Sequence, residues 1–196
     1  MDIDKMIDFG SLNNLEPEKG RILISEPFLD DNYFKRSVVL LCEHNEEGTF
    51  GFVLNNYVDL KLPEIMADFP EVNTRIGIGG PVETNNLYYI HTMGEKLEGS
   101  LEIMEGLWMG GSYEIMKLLL ESDQTDVSTF RFFVGYSGWE PEQLDEELKR
   151  NSWIVSNASV ADIMNTSQEK LWAESLRAMG KRHSIVANFP EDPTLN

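Results

Sequence analysis

Residues 36–48 read RSVVLLCEHNEEG and set the chain's one cysteine, Cys42, directly before Glu43, His44 and Asn45. A cysteine this near a histidine invites a dyad in which the imidazole takes the thiol proton or stabilises the thiolate. On a regular strand, residues i and i+2 point the same way. Cys42 and His44 would then share a face with Val38 and Leu40, their Cα atoms about 6.5 Å apart, and Glu43 would point to the other face. Arg36, at the head of the run, would serve such a site as an anion contact. The opposing reading is structural. A cysteine among valines and leucines packs as a small hydrophobe, and Glu43 and the overall negative charge oppose a thiolate. Cys42 then closes a core strand, and Glu43, His44 and Asn45 emerge at its end, on the rim of a pocket.

Three further features of the sequence bear on chemistry. A metal needs three or four converging ligands. The chain has only His44, His91 and His183 besides its carboxylates and Cys42, with no HExxH, CxxC or EF-hand spacing, so neither a metal site nor a cofactor is expected. IGIGGPV at 76–82 has the look of a phosphate-cradling glycine turn but lacks the third glycine of a dinucleotide fingerprint and the Lys-Ser/Thr of a P-loop. Pro81 also lacks the N–H a cradle would use. Gly79, Gly80 and Pro81 are expected to form a tight bend. GYSGW at 135–139 brushes against the nucleophile elbow G-x-S-x-G, but Trp139 stands where a small residue is needed. Gly135 and Gly138 are expected to shape a strand-to-helix connection while Trp139 packs.

The elements that must position these residues follow from pattern. RILISEP reads as a strand ended by Pro27, and FLDDNYF as a turn-rich connection. SVVLLCE and TFGFVLN, joined by NEEG, read as an antiparallel hairpin. LKLPEIMADF reads as a short helix with Pro63 in its first turn. RIGIGGPV and NLYYIHT read as strands, and SLEIM with GLWMG as a second hairpin. Ser112 is the expected N-cap of a helix burying Ile115, Leu118, Leu119 and Ser122. TFRFFVGY and NSWIVS read as strands flanking the acidic helix EPEQLDEELKR, whose charges suit a solvated face or a basic partner. SVADIM gives a turn or two of helix. Thr166–Glu169 has the capping-box pattern before a stripe of Leu171, Trp172, Leu176 and Met179, stopped by Gly180. SIVANF reads as a last strand or extended tail. Strands come early and in hairpins, helices late, which is an α+β pattern.

Sixteen basic against 34 acidic residues leave a net charge of −18, which repels nucleic-acid phosphates and anionic membranes and better suits a basic protein or a small cation. At 196 residues the chain fits one domain. Residues 1–20 read as a polar arm, with Met6, Ile7, Phe9 and Leu12 able to pack on the body, and 21–196 as a single domain. The N-terminal stretch lacks the basic start and apolar run of a signal peptide. No run approaches the ~20 apolar residues of a membrane span, so a cytoplasmic location is expected.

Taken together, RILISEPFLDDNYFKRSVVLLCEHNEEGTFGFVLN, IGIGGPV and VGYSGWEPEQLDEELKRNSW resemble the successive blocks of the YqgE/AlgH family of bacterial proteins. The resemblance runs from about Gly20 to the Trp172 helix. It carries Pro27, Asp30, Phe34, Arg36, Ser37, Cys42, Glu43, His44, Gly48, Gly51 and Asn55, then Gly79, Gly80 and Pro81. It continues through Gly135, Tyr136, Gly138, Trp139, Pro141, Gln143, Leu144, Asn151 and Trp153. Asn32 stands where the family commonly has proline, Asn56-Tyr57 replaces a basic residue and proline, and Ser137 and Glu140 replace smaller residues. The resemblance implies an α+β fold whose largely antiparallel, branched sheet curls into a pseudo-barrel with flanking helices. It implies no established activity, although one branch is associated by name with regulation of alginate production.

The reading that fits best is a non-catalytic binding or regulatory protein with a small-molecule or protein partner. Its pocket would gather Arg36, Cys42, Glu43, His44, Asn45, Asn55, Gly79, Gly80, Pro81, Tyr136 and Trp139. The alternative is a thiol-dependent enzyme or redox sensor built on Cys42 and His44.

Overall fold

The computed structural model describes residues 15–122, 124–167 and 170–190. The apolar positions of the N-terminal arm, Met6 to Leu12, and the Gln168 and Glu169 of the expected capping box lie outside the described residues.

Strands β1 (Ile22–Ser25), β2 (Val38–Asn45), β3 (Gly48–Val53) and the two-residue β4 (Tyr57–Val58) lead into helix α1 (Leu62–Ile65). Then come β5 (Ile76–Ile78), β6 (Val82–His91), β7 (Ser100–Met104) and β8 (Leu107–Gly110), followed by α2 (Tyr113–Glu121). Strand β9 (Phe130–Trp139), α3 (Gln143–Lys149), β10 (Trp153–Ser156), α4 (Val160–Met164), α5 (Leu171–Ala178) and α6 (Lys181–Val186) complete the order. The hydrogen-bonded path runs β10-β1-β2-β3-β9-β6-β8-β7, antiparallel throughout. Strand β9 is the branch point. Its C-terminal half pairs with β3, its N-terminal half pairs in parallel with β5, and β6 takes its other edge. The path is open, with β10 and β7 at its ends rather than paired to each other.

The dense apolar run of β2 reflects burial on both faces. Val38, Leu40 and Cys42 pack with Ile22, Ile24 and Ile154 beneath α4, α5 and α6, which supply Ile163, Trp172, Leu176 and Val186. Val39 and Leu41 face the other way, joining Leu23, Trp153 and Leu144 of α3. A third cluster, around Phe130 and Phe132 of β9, is covered by Leu62 of α1 and by Met116 and Leu120 of α2. Each such aliphatic side chain contributes about 1.5–3 kcal/mol relative to exposure.

Three expectations about the helices need correction. The buried face of α2 is centred on Met116 and Leu120, while Leu118 is 63% exposed. The expected final strand or tail, 184–189, is not extended: its residues 184–186 belong to helix α6, which begins at Lys181. Gly180 at φ +112° ends α5 and starts α6, and His183 and Val186, three apart, bury one face of it. Ser112 caps α2 as expected, its hydroxyl accepting from the Ile115 N–H at 3.3 Å. Pro141 precedes α3 in the turn rather than sitting inside it.

Candidate functional site

The β2–β3 hairpin decides the fate of the Cys-Glu-His run. Leu41 pairs with Gly51 and Glu43 pairs with Phe50, so Cys42 is an extra residue bulged out of register. A one-residue slip sends every later side chain to the opposite face. Cys42 stays with Val38 and Leu40 in the core and is 0% exposed. His44 pairs with Thr49, whose hydroxyl lies 2.7 Å from its Nδ1, on the side where Leu144 packs. The same-face placement expected for Cys42 and His44 is therefore overturned by the bulge. Glu43 turns toward Phe50 and meets the Lys19 ammonium at 3.7 Å. Burial raises the Cys42 thiol well above its ordinary range, outweighing the Lys19 charge that would lower it. Asn45 is spent on the hairpin turn, accepting the Glu47 N–H at 2.8 Å.

Arg36 and Asn55 sit elsewhere. Asn55 accepts from the Val38 N–H and donates to the Arg36 carbonyl, both at 2.8 Å, closing the mouth of β2 as a strand partner would. The Arg36 guanidinium lies 4.7 Å from the Trp172 ring centre, and its Nη2 donates to the Phe189 and Pro190 carbonyls. It ties the segment after α6 to the body.

Gly79, Gly80 and Gly135 mark a backbone crossing between the end of β5 and β9. A Cβ on Gly79 would stand 2.3 Å from the Gly135 oxygen, and one on Gly80 2.3 Å from the Tyr136 oxygen. Gly135 also takes φ +66°, open to glycine at little cost. The crossing is tied by the Gly79 N–H to Val134 and by Val53 and Ser137 donating to the Gly79 oxygen. These glycines serve close approach of chains, and Pro81 stands exposed just beyond them.

Trp139 packs as expected, 5% exposed, against Phe34 and Trp153. Its indole N–H donates to Glu147 Oε2 at 2.9 Å, and that of Trp153 donates to the same oxygen at 2.7 Å.

Two clefts meet at Phe50. The first, of about 480 Å³, brings together four of the sequence candidates: Glu43, Asn45, Tyr136 and Trp139, with Glu47 and Glu140 on its rim. The second, of about 760 Å³, is walled by Phe50, Phe52, Tyr88, Tyr89, Leu101 and Met109, with Asn85 and Asn86 at its mouth. Phe50, Tyr88 and Tyr136 are all partly exposed and form a ring cluster between them, with centroids 4.8 Å (Phe50–Tyr136), 5.6 Å (Tyr88–Tyr136) and 6.4 Å (Phe50–Tyr88) apart. A second irregularity shapes this wall. Val82 pairs with Tyr136 and Leu87 with Val134, so residues 83–86 loop out of β6. Glu83 there adopts φ +49°, a conformation costing about 1–2 kcal/mol for a side-chain-bearing residue. Its carboxylate accepts from Tyr88 at 2.5 Å and Asn86 at 2.7 Å. Those bonds, Tyr88 first, hold its pKa below the usual carboxylate range.

Sequence reading passed over Phe50 and Tyr88. Their signal was the alternation in TFGFV, which sets Phe50 and Phe52 on one face, and the paired tyrosines of LYYI, of which Tyr88 joins that face and Tyr89 the other. It also passed over two buried polar groups. Arg131, 1% exposed, donates to the Leu54 and Ile163 carbonyls and to the Tyr57 hydroxyl, and burial lowers it to about 10. His91, 0% exposed, accepts the Met93 N–H at Nδ1 and faces Ser100 and the Gly110 carbonyl through Nε2. That pattern is the neutral Nε2–H tautomer, and burial lowers its pKa. Among the described residues no group of three His, Cys, Asp or Glu is placed to hold a metal ion, and no helix is long and apolar enough to cross a membrane.

The arrangement has counterparts. A UPF0301 protein of Bacteroides thetaiotaomicron is 41% identical over the full length of both chains. One from Bacteroides fragilis is 40% identical over 94% of each. The AlgH protein of Pseudomonas aeruginosa, solved in solution, superposes with a TM-score of 0.71 at 27% identity, covering 91% of this chain and 98% of that one. A crystal structure from Corynebacterium diphtheriae gives 0.76 at 25% identity over 96% of this chain and all of the other. The AlgH-like family model (DUF179) matches residues 22–184, from the first residue of β1 to within α6, and the chain belongs to that family.

Proposed function

We propose that this protein is a non-catalytic binding protein whose ligand or protein partner presents an apolar or aromatic group beside a positive charge. The observation that carries the reading is the partly exposed Phe50–Tyr88–Tyr136 cluster, set between an apolar cleft and one rimmed by Glu43, Glu47 and Glu140. Ring faces attract cations, and carboxylates at the rim add to that attraction. A largely apolar cleft with few polar groups at its mouth is the usual form of a small-molecule site. The net charge of −18 acts in the same direction. The thiol-enzyme alternative needs an accessible, easily ionised Cys42, whereas its sulfur is buried and its thiol raised.

The same reading takes residues 21–196 as one cytoplasmic domain with the N-terminal arm as an appendage. It takes the sheet as curled toward a barrel. Gly20, just before β1, lies so close to Met104 at the end of β7 that a Cβ on it would stand 3.0 Å from the Met104 Cβ.

Three indole probes of different charge test the reading. Tryptamine, neutral indole and indole-3-acetate would be titrated into isotope-labelled protein and followed by NMR. Tryptamine should bind tightest and indole-3-acetate weakest, with saturable shifts centred on Phe50, Tyr88 and Tyr136. Tyr136→Ala should weaken tryptamine binding several-fold. Equal responses to all three probes, or shifts spread without a centre, would overturn it.

A further inference from the structure

We infer a second, separate site: a tetrahedral-oxyanion subsite at the mouth of β2, taking a free phosphate or the phosphate of a monoester. A polar cleft of about 290 Å³ lies there, lined by Tyr33, Lys35, Arg36, Ser37, Asn55 and Asn56. Two donors in it are buried and unpartnered. Ser37 is 2% exposed, and its hydroxyl has no hydrogen-bond partner; the Arg36 Nε–H is likewise buried without one. Buried polar groups are rarely left so, and each costs free energy until something accepts from it. The Nε–H can only donate and the hydroxyl is able to donate, so one acceptor group would satisfy both.

Charge points the same way. In a chain of net −18, this cleft gathers two cations and no carboxylate among its lining residues. The nearest acid in sequence, Asp31, has an oxygen committed to the amides of Tyr33 and Phe34, at 2.8 and 3.0 Å. Lys35 is exposed, is in no ion pair with a described residue and adds an ammonium to the lining.

Geometry narrows the anion. Arg36 grips planar carboxylates best by forking two parallel N–H bonds, but its Nη2 is already given to the Phe189 and Pro190 carbonyls. What remains is the Nε–H and the Nη1 group of Arg36, the Ser37 hydroxyl and the Lys35 ammonium, carried on three residues rather than on one planar fork. That set suits a tetrahedral anion better than a planar one. The backbone is held for it as well. Arg36 sits at φ +50°, uncommon for a residue with a side chain, and Asn55 fixes its carbonyl and the next strand N–H.

Inorganic phosphate, phenyl phosphate and acetate would be titrated at constant ionic strength into the full chain, followed through the amides of Ser37, Asn55 and Asn56. Both phosphates should give saturable shifts there and raise the melting temperature, acetate at least five-fold more weakly. Lys35→Gln and Ser37→Ala should each weaken phosphate about five- to ten-fold, while tryptamine binding at the Phe50 cleft stays unchanged. If phenyl phosphate binds and inorganic phosphate does not, the ring makes the site and the inference falls. It also falls if shifts grow linearly without saturating, or if Ser37→Ala stabilises the fold and leaves the phosphate response intact.

Discussion

Glu147 is the support on which one wall of the candidate site rests, and replacing it gives a quantitative test. Its Oε2 accepts the indole N–H groups of Trp139 and Trp153 at 2.9 and 2.7 Å, and its Oε1 accepts from Gln143 Nε2 at 2.9 Å. The two tryptophans are 5% and 2% exposed, so neither N–H finds ready solvent if the carboxylate is lost. Leaving a buried donor unpaired costs about 1–3 kcal/mol, so Glu147→Ala should destabilise by about 3 kcal/mol in all. For a chain of this length that is roughly a 6–12 °C fall in melting temperature. Glu147→Gln keeps one carbonyl oxygen that both indoles can share and should cost only about 1 kcal/mol, the charge-assisted part of the bonds. Urea denaturation measures both, as a shifted midpoint with an unchanged slope. The indole Nε1–H resonances of Trp139 and Trp153 report whether the bonds survive. Glu147→Ala within 0.5 kcal/mol of wild type, or Glu147→Gln as damaging as alanine, would refute the reasoning.

Native Cys42 should resist alkylation at pH 8 and react only as fast as the protein opens. Because its folded pKa lies above its ordinary value of 9.0, its contribution to stability is complete below about pH 9 and declines as pH rises beyond it, where the unfolded thiol ionises first; Cys42→Ala should flatten that decline in denaturation midpoints. His91 carries the opposite sign. Its pKa is lowered from 6.5, so below that pH the unfolded state binds the proton first and stability should fall between pH 7 and 5. His91→Gln should reduce that slope, and an unaltered slope would count against a buried neutral imidazole. Arg131→Met removes the donors to Leu54 and Ile163 and should cost about 2–5 kcal/mol by urea unfolding, with Arg131→Lys recovering only part.

The strands were legible where composition and alternation agreed. The β2–β3 hairpin, the β7–β8 pair and the Ser112 cap follow from apolar runs, turn residues and a capping hydroxyl. The bend at Gly79–Gly80 was legible as a bend, but not as a crossing against Gly135, since the partner lies some fifty-five residues away in sequence. Residues 184–189 misled because Ile185 and Val186 favour strands locally, whereas burial of His183 and Val186 three apart needs helix. The position of His44 was not legible at all. Residue types along 36–48 are compatible with a regular strand, and only pairing with β3 reveals the extra residue at Cys42. Arg36 was legible as an anion contact and Asn55 only through the family resemblance, and their separation from Trp139 and His44 depends on the path of the whole sheet.

That dependence explains why the candidate cleft exists where it does. An unbroken antiparallel sheet would alternate its side chains and keep Glu43 on the face opposite Cys42. The bulge in β2 instead carries Glu43 round to Phe50, and the outward loop of β6 frees Glu83 to hold the Tyr88 hydroxyl beside the same rings. Each irregularity adds twist and bends its strand, and together they gather carboxylates and aromatics on one concave wall. The cleft is therefore a product of register as much as of residue choice. Deleting the bulged residue should be more informative than substituting it: Cys42→Ala keeps the extra position and should keep tryptamine binding. Removal of residue 42 would leave Glu43 opposite Phe50 but straighten β2, draw the carboxylate toward the place the cysteine fills beside Val38 and Leu40, and abolish binding along with several kcal/mol of stability. A deletion variant that folds and binds as before would show that register does not build the site.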